Sequence, residues 1–258
     1  MKIGIIGATG WLGSALGRRL LANKIVQEDD LILFNRSGPR ADYHGCRGVI
    51  WARDITDLAR RSEVIVVSVR PEDWPGLGLI APDRLVLSFM AGVRIAALAA
   101  TQGRVIRAMP NAAAEIGRSY SPFFAAPEAT ALDRERTRRI ISAIGTTDEL
   151  SSEAQVDVMT ALPGSGAAYP ALLAEAMLGF AREQGLSEDI ACRAVAATIS
   201  GGAELLAGRI GEVGALLDAY RAYRGPTGAG IDRAIAEGFS GAVKTALVAA
   251  TKKASEMG

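Results

Sequence analysis

Two patterns of apolar residues alternate along the first 150 residues of the chain. Short runs of β-branched and aliphatic residues are typical of buried parallel strands, whereas apolar positions three or four residues apart indicate helices. The predicted strands are Ile3–Ile6, Leu31–Phe34, Val49–Trp51, Val64–Ser68, Leu85–Phe89, Val105–Met109, Ser121–Ala126 and Thr146–Leu150. Four helices are predicted. The first begins near Gly13, the second covers Asp54–Arg61, the third ends near Gln102 and the fourth covers Asp133–Ile144. This alternation predicts an α/β domain with a doubly wound, mostly parallel sheet.

The pattern changes near Leu150. From Ser151 onward no segment has the pattern of a strand, and Ala, Leu, Gly and Ile recur at helical spacing. The expected helices are Glu153–Leu162, Ala168–Gln184, Glu188–Leu206, Gly211–Tyr223 and Ile231–Met257. We therefore predict two domains, residues 1–150 and an all-helical domain of residues 151–258. Helices rich in small residues and apolar on more than one face need a partner surface, so we expect a homodimer or a larger assembly of dimers.

A glycine-rich turn follows the first strand. Gly7, Gly10 and Gly13 have the spacing G-x-x-G-x-x-G, one residue longer in the turn than G-x-G-x-x-G. A strand, a glycine turn and a helix in this order form the phosphate-binding corner of a Rossmann domain, in which the helix N-terminus binds the pyrophosphate of a dinucleotide. The residues assigned to the cofactor in this turn are Gly7, Thr9, Gly10, Trp11 and Leu12.

The end of the second strand indicates which dinucleotide is bound. An NAD-binding domain usually has an acidic residue here for the ribose 2′-hydroxyl, but this chain has Asn35, Arg36 and Ser37. A guanidinium and a hydroxyl suit a 2′-phosphate, so we predict NADP, with NADPH preferred over NADH. The alternative is that Arg36 is a solvated turn residue. The segment Val69-Arg70-Pro71 follows the central strand at the same sheet edge and is also assigned to the cofactor.

Composition excludes several classes of function. The chain has 29 basic and 28 acidic residues, a net charge of +1, so neither a nucleic acid nor an anionic membrane is an expected partner. The mean hydropathy of +0.19 comes from alanine and aliphatic residues, and the most apolar stretch, Ala161–Phe180, is interrupted by polar residues and prolines. No signal peptide is expected before the first strand. Cys46 and Cys192 are too few for a disulfide framework or a metal site, which favours a cytoplasmic protein without a metal. His44, the single histidine, is expected at the surface.

Two segments of the helical half differ from ordinary helix sequence. Gly164-Ser165-Gly166 precedes a long apolar helix, so its hydroxyl and the helix N-terminal amides predict a second anion site. Arg224–Gly230 reads as a flexible loop with one hydroxyl, that of Thr227, before the last helix. The alternative is that both segments are ordinary turns between helices.

Together these segments resemble the pyrroline-5-carboxylate reductase family over nearly the whole chain. The shared motifs are the glycine turn, Asn35-Arg36-Ser37, Val69-Arg70-Pro71, Ser88-Phe89-Met90-Ala91-Gly92-Val93, Met109-Pro110-Asn111 and, most specifically, Thr160-Ala161-Leu162-Pro163-Gly164-Ser165-Gly166 with Tyr169. The resemblance implies an eight-stranded Rossmann domain, a helical domain that interleaves with a second copy, and NAD(P)H-dependent reduction of a cyclic imine to proline. It also implies that Met109, Pro110 and Asn111 lie near the nicotinamide.

The sequence departs from this family at two places. Ala167 stands where the family has proline after Gly-Ser-Gly. The family's substrate loop has the sequence Ser-Pro-Gly-Gly-Thr-Thr or a similar one. In this chain Ala222 replaces the serine, Tyr223 and Arg224 replace the proline and the first glycine, and only Thr227 matches a threonine of the loop. The reaction class is therefore better supported than the usual substrate.

The expected reaction is hydride transfer from the nicotinamide to an imine carbon, with the protein supplying orientation and anion binding. The residues assigned to the substrate carboxylate are Gly164, Ser165, Gly166, Arg224 and Thr227, of which Thr227 is the catalytic candidate. A reductase of the β-hydroxyacid dehydrogenase type is one alternative, but it requires a catalytic lysine, and the lysines after Leu150 all lie in the last predicted helix. A non-catalytic NADP-sensing protein is the other, and the Gly-Ser-Gly turn argues against it.

Overall fold

The computed structural model describes residues 1–257, and these form two compact units. The first unit contains residues 1–167 and 249–257, and the second contains residues 168–248. The units divide after Ala167, although the sequence pattern changes near Leu150. The helix that follows Leu150 is joined to the sheet of the first unit by ion pairs of Glu153 and Asp157 with Arg107. Gly258, the last residue of the predicted second domain, lies outside the described residues.

The first unit is built on a seven-stranded sheet. The strands are β1 Ile3–Ile6, β2 Leu31–Phe34, β3 Ile50–Trp51, β4 Val64–Val67, β5 Leu85–Ser88, β6 Arg104–Ala108, β7 Ser119–Tyr120, β8 Phe123–Ala125 and β9 Gly145–Thr146. The sheet order is β3-β2-β1-β4-β5-β6-β8, parallel except where β8 pairs with β6. The chain adds strands on one side of β1 and then, from β4, on the other, which is the doubly wound topology that the sequence predicted.

The expected eighth strand of this sheet is not formed. β7 and β9 instead make a separate parallel pair, and the segment after β9 touches the large sheet through one bridge, between Phe123 and Glu149. Pro122 has no amide hydrogen and separates β7 from β8. The predicted strands Ser121–Ala126 and Thr146–Leu150 are therefore shorter than expected.

Helices cover both faces of the large sheet. They are α1 Trp11–Ala22, α2 Ile55–Arg61, α3 Ile95–Leu98, α4 Ala131–Ile141 and α5 Ala154–Met159. Leu16 and Leu20 of α1 are buried in one apolar cluster, whereas Leu58 of α2 and Leu98 of α3 are buried in the other. Asp54 caps α2, since its carboxylate accepts a hydrogen bond from the amide of Asp57 at 2.7 Å.

The remaining helices are α6 Ala168–Glu183, α7 Glu188–Leu206, α8 Val213–Ala222, α9 Pro226–Ala236 and α10 Phe239–Glu256. The predicted single helix Ile231–Met257 is wrong, because Gly238 adopts a φ of +86° and separates α9 from α10. The predicted flexible loop Arg224–Gly230 is largely helical, because Pro226 occupies the first position of α9, where proline favours the start of a helix. No described residue after Ser151 lies in a strand, as predicted.

The end of α10 belongs to the first unit. Gly92, in the turn after β5, has a φ of +75°, and a methyl group built on it lies 2.4 Å from Cβ of Met257. Ala254 is also buried. Among the described residues no single helix is long and apolar enough to cross a membrane, and α7 and Ile210–Ala222 pass that test only as a pair bent by 94°.

Candidate active site

The sheet topology brings three of the predicted cofactor segments to one edge. β2, β1 and β4 are neighbouring parallel strands, so the residues after each strand meet at their carboxyl ends. The amides of Gly7 and Ala8 donate to the carbonyl of Phe34 at 2.9 and 3.3 Å, and the amide of Ser68 donates to the carbonyl of Ile6 at 2.9 Å. The glycine turn is therefore hydrogen-bonded to the end of β2, while the end of β4 is bonded to that of β1.

The glycine turn fits the close approach of a phosphate group. Gly7 has a φ of +85°, and a methyl group built there lies 2.3 Å from the carbonyl oxygen of Ser68. A methyl group built on Gly13 lies 2.3 Å from the carbonyl oxygen of Gly7, so α1 packs directly on the turn. No side chain caps the start of α1 at Gly10, and its first turn contains no acidic residue. The backbone amides at this helix N-terminus can therefore bind an anion.

Glu115, Arg18 and Tyr43, which were not predicted from the sequence, support this turn and the start of α1. The Trp11 indole donates to the carboxylate of Glu115, and the Arg18 guanidinium donates to the carbonyl of Glu115 at 2.8 Å. The buried Tyr43 hydroxyl donates to the carbonyl of Ala8 at 3.0 Å, and burial raises the pKa of Tyr43, which keeps the hydroxyl a donor. No local pattern reveals these partners, since each is distant in sequence.

His44 is exposed, as predicted, and its Nε2 lies 3.0 Å from the hydroxyl oxygen of Ser14. Burial and the nearby Arg18 lower the pKa of His44. The imidazole is therefore held more firmly in its neutral form than that of a free histidine.

Arg36 lies where a 2′-phosphate is expected. Its side chain is 88% exposed, and its Nη1 donates to the carboxylate of Asp73 at 3.0 Å. The Asn35 amide donates to the Ser37 hydroxyl, which shapes the turn around the arginine. An ion pair between exposed side chains contributes only about 0–1 kcal/mol, so a phosphate dianion can replace Asp73. Arg70 is also exposed, and it lies 3.7 Å from Glu72.

The segment Met109-Pro110-Asn111 follows β6, and its Met109 lies against the Gly-Ser-Gly turn. Met109 and Pro110 are buried, and a methyl group built on Gly164 lies 3.4 Å from Cγ of Met109. The amide of Asn111 donates to the hydroxyl of Ser119 at 3.0 Å, and its side-chain oxygen accepts from the amide of Ala113 at 2.9 Å. The structure thus places together two motifs that are separated by about 50 residues of sequence.

The Gly-Ser-Gly turn is preceded by a π-helical segment, Thr160–Gly164. Pro163 within it lacks an amide hydrogen, so regular α-helical bonding cannot continue through the segment. The Ser165 hydroxyl donates to the carbonyl of Thr160 at 3.1 Å, and the amide of Gly166 donates to the carbonyl of Pro163 at 3.0 Å. The turn leads into α6 at Ala168, where the sequence predicted a long helix.

Arg224 and Thr227 lie in the second unit. Arg224 is exposed and has a φ of 54°, a conformation that glycine adopts more readily. The backbone thus has a glycine-like conformation at the position where the family loop has glycine. Thr227 is in the first turn of α9, after Gly225 and Pro226, and its side chain is exposed.

A buried cluster of charges in the first unit was not predicted from the sequence. Arg107 of β6 is 1% exposed and lies beside Glu153 and Asp157. Glu153 immediately precedes α5, and Asp157 lies within it. A single arginine within the apolar run Val105–Met109 was the available signal. The described residues contain no group of three or more His, Cys, Asp or Glu side chains that could hold a metal ion.

Comparison with known proteins identifies the family. The profile described as pyrroline-5-carboxylate reductase dimerisation matches residues 153–257. The pyrroline-5-carboxylate reductase of Pseudomonas aeruginosa is 32% identical over 204 residues, covering 76% of this chain and 75% of that protein. That of Synechocystis is 30% identical, covering 100% and 98%. The crystal structure of Plasmodium falciparum pyrroline carboxylate reductase with NADP bound has a TM-score of 0.83 and 25% identity, covering 100% of this chain and 98% of that one.

These matches span both units, and they agree with the glycine turn and the Gly-Ser-Gly turn that the fold positions. The chain therefore belongs to the pyrroline-5-carboxylate reductase family and is an oxidoreductase that acts on a carbon–nitrogen double bond.

Proposed function

We propose that this protein reduces pyrroline-5-carboxylate, or a closely related cyclic imino acid, with NADPH as the reductant. The observation that carries the proposal is the packing of Gly164 against Met109, which joins the Gly-Ser-Gly turn to the end of a strand of the cofactor-binding sheet. The family relationship supports the reaction, and the NADP-bound structure from Plasmodium falciparum supports the cofactor.

The first unit fits NADPH. The glycine cradle and the uncapped N-terminus of α1 would bind the pyrophosphate, and Arg36 with Ser37 would bind the 2′-phosphate. The remaining contacts that we propose come from Thr9, Trp11, Leu12, Asn35, Val69, Arg70, Pro71, Pro110 and Asn111. When bound, the cofactor supplies the hydride, and the protein supplies binding and orientation.

The Gly-Ser-Gly turn would orient the substrate carboxylate. A serine hydroxyl rotates freely, so Ser165 can turn its hydrogen from the Thr160 carbonyl towards a carboxylate. The backbone of Gly164 and Gly166 brings the substrate beside Met109, and the buried Met109 side chain excludes water from that side. A protonated imine accepts hydride readily, so the protein's main contribution is to hold the ring in position.

Thr227 would donate its hydroxyl to the substrate, and Arg224 would provide a cation for an acid group of the substrate. An imine with a second acid group, or with its carboxylate oriented differently, would explain a guanidinium where the family has glycine. We further propose that the protein is a homodimer, because the matched family profile is a dimerisation domain and the helices of the second unit expose many apolar side chains.

An assay of NADPH oxidation against a panel of cyclic imino acids tests the function. The panel should contain pyrroline-5-carboxylate, its six-membered analogue and ring imines that carry two carboxylates. We expect turnover of at least one member, with a ring amine as product and a lower rate with NADH. A Ser165→Ala variant should lose at least tenfold in kcat/KM, the effect of about 1.4 kcal/mol. If no cyclic imino acid is reduced while NADPH binds, the proposed function is wrong.

A further inference from the structure

Four charged side chains of the first unit form a cluster that joins three segments of the chain. Arg107 Nη1 donates to Glu153 Oε1 at 2.7 Å, and the backbone amide of Ile95 donates to the same oxygen at 2.7 Å. Arg94 Nη2 donates to Asp157 Oδ2 at 2.9 Å. We call these residues, Arg94, Arg107, Glu153 and Asp157, the charge cluster.

Two of the three segments joined by the cluster lead directly into the candidate site, and the third follows the turn after β5. Arg107 lies two residues before Met109 on the same chain, and Arg94 follows the turn at Gly92. Asp157 lies in α5, which continues through Thr160–Gly164 into Ser165. The cluster therefore fixes the position of α5 relative to the ends of β5 and β6.

The cluster is buried and its hydrogen bonding is incomplete. Arg107 is 1% exposed and Asp157 is 6% exposed, yet Arg107 Nη2 and Asp157 Oδ1 lie 3.9 Å apart and have no hydrogen-bond partner in the part of the chain that the structure describes. A buried ion pair of this kind is a weak source of stability, since the desolvation of its charges offsets much of their attraction. Its better attested role is to select one arrangement of the segments that it joins.

A second ion pair on the same strand, between the half-buried Arg104 and the buried Asp133, gives a contrast. Arg104 donates to Asp133 through Nε at 2.6 Å and through Nη2 at 3.0 Å. Asp133 also accepts from the amide of Thr130 and so caps α4, which carries no site residue. This pair leaves no buried side-chain polar atom without a partner, and it joins β6 to a helix outside the site.

We propose that the charge cluster positions the Gly-Ser-Gly turn against Met109, and that its members are positioning residues for the reaction. The expected loss of kcat rests on the proposed function, whereas the expected loosening of residues 160–166 rests on the structure alone. Loss of the bond between α5 and the turn before α3 frees the π-helical segment to shift. A shift of about 1 Å in a bound substrate costs up to about 100-fold in rate.

The decisive variants are Asp157→Asn and its matched control Asp133→Asn. In Asp157→Asn we expect amide hydrogen exchange of residues 160–166 to become at least tenfold faster, and kcat for the imine to fall about 10- to 100-fold. The dissociation constant for NADPH, measured by its fluorescence, should stay within about twofold, because the residues proposed for its phosphates, in the glycine turn and at Arg36, are not joined to the cluster. In Asp133→Asn the melting temperature should fall, while the exchange of residues 160–166 and kcat stay unchanged.

A second pair of variants covers the case in which Asp157→Asn fails to fold. Arg94 is 37% exposed, so Arg94→Gln should fold, and it should show the same faster exchange and lower kcat. Arg94→Lys should restore both in part, because the ammonium can still reach Asp157. Unchanged exchange of residues 160–166 in Arg94→Gln and Asp157→Asn overturns the inference, as does an equal change in Asp133→Asn. If wild-type protein reduces no imine but the exchange results are as expected, the positioning role stands and the proposed function fails.

Discussion

Most large apolar side chains of the first unit are buried in its core, whereas many of those in the second unit are exposed. Every residue of β1, β4 and β5 is buried, whereas α6 buries one residue, α7 buries two and α8 buries none. The large apolar side chains that the second unit exposes are Leu172, Leu173, Phe180, Leu186, Ile190, Leu205, Ile210, Val213, Leu217, Tyr220, Tyr223, Ile235, Phe239, Val243 and Val248. Apolar surface of this extent is rare on monomeric proteins.

The difference indicates that the two units depend on different sources of stability. The first unit has a core of its own on each face of its sheet. The second unit has helices that pack on one another but present apolar residues to solvent, so its stability should depend on a second copy of the chain. Changes at its exposed face should therefore act on assembly, whereas changes in the first unit should act on cofactor binding or on its own stability.

The largest expected effect is the loss of assembly after two substitutions in α6. Leu173 and Phe180 are seven residues apart, hence on one helix face, and are 45% and 64% exposed. Burial of each such side chain contributes about 1.5–3 kcal/mol. Light scattering should show a dimer for wild type and a monomer for Leu173→Glu with Phe180→Glu, with loss of helical circular dichroism. Leu132→Glu, at an exposed position of α4 in the first unit, is the control and should remain dimeric. A wild-type monomer at micromolar concentration contradicts the comparison.

The next effect concerns the cofactor and should leave assembly untouched. Arg36→Asp removes a charge-assisted hydrogen bond to the 2′-phosphate, which contributes about 1.5–3 kcal/mol, and adds an acceptor for a ribose hydroxyl. NADPH should bind about 10- to 100-fold more weakly, and NADH more tightly than in wild type, by fluorescence titration. Arg40→Asp changes charge equally in the same surface segment and should alter both affinities much less. Equal affinities of wild type and Arg36→Asp would exclude the assignment.

Arg224 tests whether the second unit has a role in substrate binding beyond assembly. Arg224→Gly should raise KM for the true substrate about tenfold, the effect of one hydrogen bond to a charged group, with NADPH binding unchanged. Since Arg224 has a φ of 54°, the glycine variant also relieves backbone strain. Arg224→Asn separates the two effects, because asparagine tolerates this conformation and lacks the charge. If neither variant changes KM, the arginine has no contact with substrate.

The smallest effect is a pH dependence confined to the first unit. Hydrogen bonds from the Arg61 side chain and the Arg53 amide lower the pKa of Asp57 below its usual range. A depressed pKa adds stability that is present above the unfolded-state value of about 3.9 and is lost as the pH falls through the folded-state value. Asp57→Asn should therefore lower the urea midpoint at pH 7, and the difference from wild type should shrink below about pH 4. Asp29→Asn is the control and should show no such difference.

The parts of the fold that the sequence predicted well depend on local patterns. The strands β1, β2, β4, β5 and β6 and the glycine turn are each recognised from a few consecutive residues. The predicted single last helix was wrong because an isolated glycine, here Gly238, fits a helical pattern as well as a break. The charge cluster could not be predicted, since Arg107 and Glu153 are 46 residues apart and only the folded sheet brings them together.

The return of α10 to the first unit bears on the order in which the protein folds. Residue 257 lies against Gly92, so the first unit closes a contact between residues 165 positions apart in sequence. Synthesis runs from the N-terminus at about 5–20 residues per second, and the sheet strands up to β8 emerge long before α10. The turn after β5 therefore stays uncovered by the end of α10 until the second unit has been synthesised. A folding intermediate with that turn uncovered is expected on the ribosome, and its lifetime is set by the rate of translation rather than by the sheet itself.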